Sequence, residues 1–245
     1  MKTPHNYQPP AVCALDVLYE DNDLVIVNKP AGLLTVPGRG ADKQDCMLHR
    51  LQTEYPDALT VHRLDMDTSG ILLFARNADA HRAMSRLFEQ RRIHKAYLAR
   101  VWGRPEDARG SVNLPLITDW PNRPRQKIDF SRGKAALTHY ELISSSGPHS
   151  LMQLFPVTGR SHQLRLHMSA LGHPILGDPL YGTALSRCAS QRLLLHAEQL
   201  GFEHPFTGEP VKLHCAAEFA LDDFSLLESA LNTPTQIHGK IGFSL

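Results

Sequence analysis

Two polar segments and one strand carry the side chains best suited to chemistry. The first segment runs Val61-His62-Arg63-Leu64-Asp65-Met66-Asp67-Thr68-Ser69-Gly70. It lies between two apolar stretches and ends in a Ser69-Gly70 turn, so Asp65 can face a cleft instead of open water. The second runs Thr158-Gly159-Arg160-Ser161-His162-Gln163-Leu164-Arg165-Leu166-His167. A glycine turn feeding a helix offers free backbone N–H groups to an anion. His162 and Arg165 stand three apart and share a helix face. An arginine there can pair with a carboxylate, fix its rotamer and oppose the loss of charge that burial brings. The third, Lys95-Ala96-Tyr97, sets an aromatic ring on a strand, where stacking on a base is worth about 1–3 kcal/mol. Each alone also fits a polar turn, a helix cap or a core tyrosine.

The elements that must hold these groups follow from periodicity. Leu24-Val25-Ile26-Val27 is a short apolar run stopped by Asn28-Lys29-Pro30 and Gly32, which predicts a buried strand. A second strand is expected over Ile71 to Ala75. Asn77 then caps a helix, with Asp79 in its first turn and Ala80, Ala83, Met84, Leu87 and Phe88 at helical spacing. From Lys95 to Trp102 the residues alternate, with Tyr97, Ala99 and Val101 on one face. Further strands are expected at 137–143, 151–157, 193–195, 200–202 and 211–215, with a turn at 207–210. Ser161 is expected to cap a helix running to about Leu171, with Gly172 as its stop. Many strands and two or three helices that do not alternate one for one predict an α+β fold with a large mixed, mainly antiparallel sheet. Flexibility is expected in residues 1–12, the loop 36–47 and the tail after about 228. Residues 105–134 hold four prolines and much charge, and read as an elaborated surface segment.

Composition bounds the function classes. The chain has 245 residues, 42% apolar and 21% charged, which suits a globular protein of one domain or two lobes. No apolar run is long enough to span a bilayer, and the start of the chain lacks a secretory pattern. The four cysteines, Cys13, Cys46, Cys188 and Cys215, form no CxxC pair and read as reduced thiols of a cytoplasmic protein. No metal site is expected: the 14 histidines include no H-x-E with a downstream P-C-x-x-C of the kind zinc deaminases need. The net charge of +1 does not announce a nucleic-acid partner. The local clusters do more: Arg91, Arg92, His94 and Lys95, then Arg123, Arg125 and Lys127, then Arg132 and Lys134.

Taken together and in order, these segments resemble the RluA family of pseudouridine synthases. His62-Arg63-Leu64-Asp65 with Thr68-Ser69-Gly70 is similar to that family's catalytic motif, and Asn28-Lys29-Pro30-Ala31-Gly32 to its upstream signature. Lys95-Ala96-Tyr97 is similar to the segment that carries the active-site tyrosine. The run from Gly159 to Arg165, the run His173-Pro174-Ile175-Leu176-Gly177-Asp178 and Leu193-Leu194-Leu195-His196-Ala197 are similar to downstream motifs. Asp119 to Lys127 looks like the RluA subgroup itself. The resemblance spans about residues 15–222 and departs at Asp67, where a small residue is expected. A second carboxylate there adds negative potential but removes no motif residue.

The resemblance implies the pseudouridine synthase fold with a central catalytic cleft. It implies an arm over 1–14, a two-lobed catalytic domain over 15–224 without an N-terminal S4 module, and a tail over 225–245. It implies an enzyme that breaks the N1–C1′ bond of uridine, turns the base and rejoins it through C5. Substrate and product are isomers, so no cofactor is expected. The implied partners are RNA, namely a 23S rRNA hairpin and the tRNA anticodon stem-loop, with no membrane and no obligate protein partner for a monomer. Asp65 is the implied nucleophile or base, Tyr97 stacks on the target uracil and Arg165 ion-pairs with Asp65. Arg63, His62, Arg160, His162, Arg123, Arg125 and Lys127 are the candidate RNA contacts, with the clusters 91–95 and 123–134 holding phosphates. The rival is a non-catalytic RNA-binding module on the same fold.

Overall fold

The computed structural model describes residues 7–220. The tail expected at 225–245 lies outside the described residues, as does the start of the N-terminal arm. In chain order the elements are β1 (Val17–Glu20), β2 (Leu24–Lys29), α1 (Met47–Gln52), β3 (Leu59–Thr60), β4 (Ser69–Ala75) and α2 (Ala78–Glu89). Then come β5 (His94–Trp102), β6 (Arg109–Asn113), β7 (Leu116–Thr118), β8 (Gln126–Ile128), β9 (Leu137–Ser146) and β10 (His149–Pro156). α3 (Gln163–Ala170), α4 (Ala184–Cys188), β11 (Leu195–Glu203) and β12 (Pro210–His214) complete the chain.

One sheet runs β1-β2-β4-β11-β5-β10-β9-β6, with β12 added to β11 and β3 to β4. The β4–β11 pair is parallel and the other pairings are antiparallel. This is the expected mixed, mainly antiparallel sheet. β7 and β8 form a separate two-stranded ribbon.

β2 and β4 read as continuous apolar runs because both of their faces are covered. Leu24, Ile26, Ile71 and Leu73 pack with Met84 and Leu87 of α2. Val25, Val27, Leu72 and Phe74 face the other way, against Leu33, Met47, Leu51 and Leu64. A further cluster joins Ala99, Val101, Met152 and Leu154 with Leu164 and Met168 of α3. Tyr97 packs against both of these last two clusters, so it stands where they meet.

Two local expectations change. The pieces 193–195 and 200–202 belong largely to one strand, β11, whose register slips between Ala197 and Gln199. The bulge at Glu198 breaks the alternation that marks a strand in sequence. Ser161 does not cap α3; His162 does, with a left-handed backbone at φ 54°. The Gln163 side chain braces the turn that leads into the helix, its Oε1 accepting from the Arg160 N–H at 3.0 Å and from Thr158 Oγ1 at 2.7 Å. Asn77 caps α2 as expected, accepting from the Ala80 N–H at 2.8 Å.

Candidate active site

Asp65 sits in the turn that leads into β4, with the Thr68 N–H donating to the Asp65 carbonyl at 3.1 Å. The turn is clamped from behind. Thr35 Oγ1 donates to Leu64 O at 2.8 Å, and the Leu64 N–H donates back to it at 3.2 Å. The fully buried Lys29 donates to Pro30 O at 2.7 Å, Leu33 O at 2.8 Å and Met66 O at 3.1 Å. An ammonium has three hydrogens, and here three carbonyls receive them. Burial nevertheless pulls the Lys29 ammonium down to about 7, with Asp67 and Asp65 opposing the shift. Asp67 lies beside this cage, and its own burial pushes its carboxyl up against the pull of Arg165 and Lys29.

Two cationic or protic groups from the α3 end face Asp65. Arg165 Nη1 lies 4.0 Å from Asp65 Oδ2, and His162 Nε2 lies 4.0 Å from Asp65 Oδ1. Arg165 is only 2% exposed, whereas the Asp65 side chain keeps 30% of its surface open to solvent. Arg165 reaches Asp65, as expected, but shares itself with a second acid. Its close partner is the buried Asp178, gripped at 2.8 Å through Nε and 2.7 Å through Nη2. The planar fork spends two edges on Asp178 and leaves Nη1 directed at Asp65. Asp178 Oδ1 is itself fixed by the N–H groups of Leu180, at 2.8 Å, and Tyr181, at 3.1 Å.

Tyr181 ties this cluster to the ribbon. Its hydroxyl accepts from the Gln126 N–H at 2.7 Å and contacts His162 Nδ1 at 2.8 Å. The hydroxyl holds His162 through Nδ1 and leaves Nε2 facing Asp65. Burial pushes the His162 imidazole down, Asp65 pulls it back up and Arg165 opposes that. The left-handed backbone at His162 is uncommon outside glycine and swings its ring toward the carboxylate. Tyr97 reaches the same space from β5; burial first, then Asp65, pushes its phenol well above the usual range.

The remaining candidates divide. Arg63 is exposed. Arg160 is exposed, with Nε donating to Ala135 O at 3.2 Å. Arg123 lies over the ring of Trp120 at 4.4 Å. Arg125 Nη2 donates to Leu180 O, and Lys127 lies 4.0 Å from Asp129. These three sit on the β7–β8 ribbon, which Tyr181 brings to the edge of the site. His62 is engaged within the protein. Its ring stacks on Phe88 at 4.8 Å and its Nε2 accepts from the Leu73 N–H at 3.1 Å. Burial, then Lys95, pushes it down to about 3, so the ring is neutral and wedges the Asp65 segment against β4.

Sequence reasoning assigned no role to Lys29, Asp178 or Tyr181. The first two stood inside quoted motifs, but nothing in a sequence says which carboxylate an arginine chooses. The exposed Trp120 and Phe130 also went unassigned, although aromatic residues among charges are a stacking signal.

A cavity of about 360 Å³ lies elsewhere, lined by Lys29, Ser69, Arg192 and His196 among others, and includes neither Asp65, Tyr97 nor Arg165. Among the described residues one group has metal-ligand spacing: Asp21, Asp23 and His204. His204 Nδ1 accepts from the N–H groups of Phe206 and Thr207, at 3.4 and 3.3 Å. His204 Nε2 lies 3.1 Å from Asp21 Oδ2.

A mainly antiparallel sheet carrying a loop aspartate faced by a buried arginine, with a tyrosine beside them, defines an RNA pseudouridylate synthase. The sequence profile of that family, described as RNA pseudouridylate synthase, matches residues 23–170. The chain is 49% identical over 215 residues to the dual-specificity RNA pseudouridine synthase RluA of Escherichia coli strain K12, covering 87% of this chain and 98% of that protein. It is 49% identical over 204 residues to the protein of the same name from Vibrio parahaemolyticus, covering 81% of this chain and 82% of that one. Among solved structures, human RNA pseudouridylate synthase domain containing 1 superposes with a TM-score of 0.73 at 30% identity, covering 94% of this chain and 100% of that one. The chain belongs to the RluA family of RNA pseudouridine synthases, which are isomerases. Among the described residues no helix is long and apolar enough to cross a membrane.

Proposed function

We propose that this chain converts uridines to pseudouridine in both a 23S rRNA hairpin and a tRNA anticodon stem-loop, with Asp65 as its catalytic carboxylate. The observation that carries the site is the approach of Arg165 and His162 to the two oxygens of Asp65, each at 4.0 Å. The two-substrate reading is supported by the relatives named as dual-specificity enzymes.

Asp65 has room to act because its side chain stays partly open while everything behind it is closed. The enzyme must first extrude the uridine, at a cost of a few kcal/mol that is least at unpaired positions. Tyr97 then stacks on the uracil, and Asp65 attacks the nucleotide or removes a proton from it while the N1–C1′ bond breaks and the C5–C1′ bond forms. Arg165 stabilises the carboxylate without quenching it, since its short bonds go to Asp178. Arg63, exposed two residues before Asp65, fills the space left in the RNA or contacts its phosphates. Arg123, Arg125 and Lys127 hold the backbone, and Trp120 and Phe130 beside them offer faces to unpaired bases. Residues 15–224 form the catalytic domain behind an arm over 1–14, and the protein works as a cytoplasmic monomer.

Pseudouridine mapping of total RNA from cells with and without this gene tests the substrate reading. Loss of signal at one position in large-subunit rRNA and at tRNA anticodon stems is expected. Loss in only one RNA class overturns the dual assignment.

A further inference from the structure

Of the basic cluster at 91–95, one side chain points somewhere the others do not. Lys95 is two residues before Tyr97 on β5, on the same face by strand alternation. Its stem lies across Phe88, with Nζ 5.9 Å from the ring centroid. On the other side it meets the turn that carries His162: a Cβ built on Gly159 would come 3.9 Å from Nζ. The ammonium thus stands between the two walls of the active site, the segment 62–65 and the turn 158–162. Arg92, by contrast, is exposed and lies 3.8 Å from Glu203.

Lys95 is half-buried, yet among the described residues no carboxylate or carbonyl engages it. Burial pulls its ammonium down, with no acidic neighbour opposing the shift. A partly desolvated cation with an aromatic face but no anionic partner costs stability unless something that arrives later supplies the anion. Asp65 is not that anion, since its oxygens face Arg165 and His162. An RNA brings only phosphodiesters as anions. Lys95 and Tyr97 stand roughly 6–7 Å apart along the strand, the scale on which a nucleotide's phosphate is separated from its base. We propose that Lys95 binds a phosphodiester directly flanking the extruded uridine. The inference rests on the reading of Asp65 and Tyr97 as the site that receives the base.

The test is a charge-deletion cycle on a synthetic anticodon stem-loop that the wild-type protein converts. Each linkage within two nucleotides of the target is replaced in turn by an uncharged methylphosphonate, and binding is measured for wild type, Lys95→Met and Lys95→Arg. Lys95→Met should raise Kd and KM about tenfold with kcat nearly unchanged, and lower the salt slope by about 0.7. At one linkage flanking the target, the methylphosphonate should weaken wild-type binding about tenfold and Lys95→Met binding no further, with Lys95→Arg behaving like wild type. Circular dichroism and melting of each variant exclude misfolding as the cause. If Lys95→Met remains as sensitive as wild type at every linkage, the proposal is overturned. Conversion by wild type and its absence in Asp65→Asn test the site reading separately.

Discussion

Arg165 divides its guanidinium between two carboxylates, and the division explains the site. Two short hydrogen bonds to Asp178 hold the side chain rigid in a buried position. The third edge then acts on Asp65 at 4.0 Å as a fixed charge. Removing Arg165 should therefore affect chemistry more than binding. Arg165→Ala should lower kcat by at least about a hundredfold, while the RNA Kd moves less than about threefold. Lysine should not rescue it, because a point charge cannot span both acids. Equal, large losses in turnover and affinity would contradict this division. Asp178→Asn strips one partner from a buried pair, and urea unfolding should show a loss of about 3–5 kcal/mol. A change below about 1 kcal/mol would show that Asp178 does not anchor the arginine.

At the scale of elements, what positions Asp65 is a segment wedged beside β4 and a ribbon tied to Tyr181. His62 is neutral in the folded protein because burial holds it near 3 against an ordinary value of 6.5. Between those values the unfolded chain binds more protons, so this residue makes stability rise with pH from about 3 to about 6.5 and level off above. In His62→Gln the slope of stability against pH in that window should flatten; an unchanged slope would mean the ring is not desolvated. The ribbon makes a different prediction. Arg125→Ala with Lys127→Ala should raise the RNA Kd and lower the salt slope by about 1.4, with kcat preserved. An unchanged Kd would remove the ribbon from the RNA interface. These two elements also mark what sequence can yield. β2, β4 and the cap at Asn77 were readable because apolar runs and capping chemistry are local. The bulge at Glu198, the left-handed His162 and the choice of Asp178 by Arg165 were not, because each depends on what packs against it from far along the chain. That Asp65, Tyr97 and Arg165 come together was legible through motif resemblance; that the His62 ring packs on Phe88 was not.

Across the whole molecule, one sheet carries the site, and Tyr97 stands where two core clusters meet. Asp65 and its Lys29 cage come from the segments around β2 and β4, and Arg165, His162 and Asp178 from those around α3. The site therefore exists only when segments far apart in sequence are packed together. The family and fold assign the chemistry, and the central claim that remains open to direct contradiction is that one carboxylate performs it. The most direct measurement compares pseudouridine formation by wild type and Asp65→Asn at saturating RNA, with RNA affinity measured alongside. The account predicts no detectable product from the variant and a Kd within about threefold of wild type, since asparagine keeps the shape and removes only the charge. Product formed by Asp65→Asn at a rate near that of wild type would contradict it.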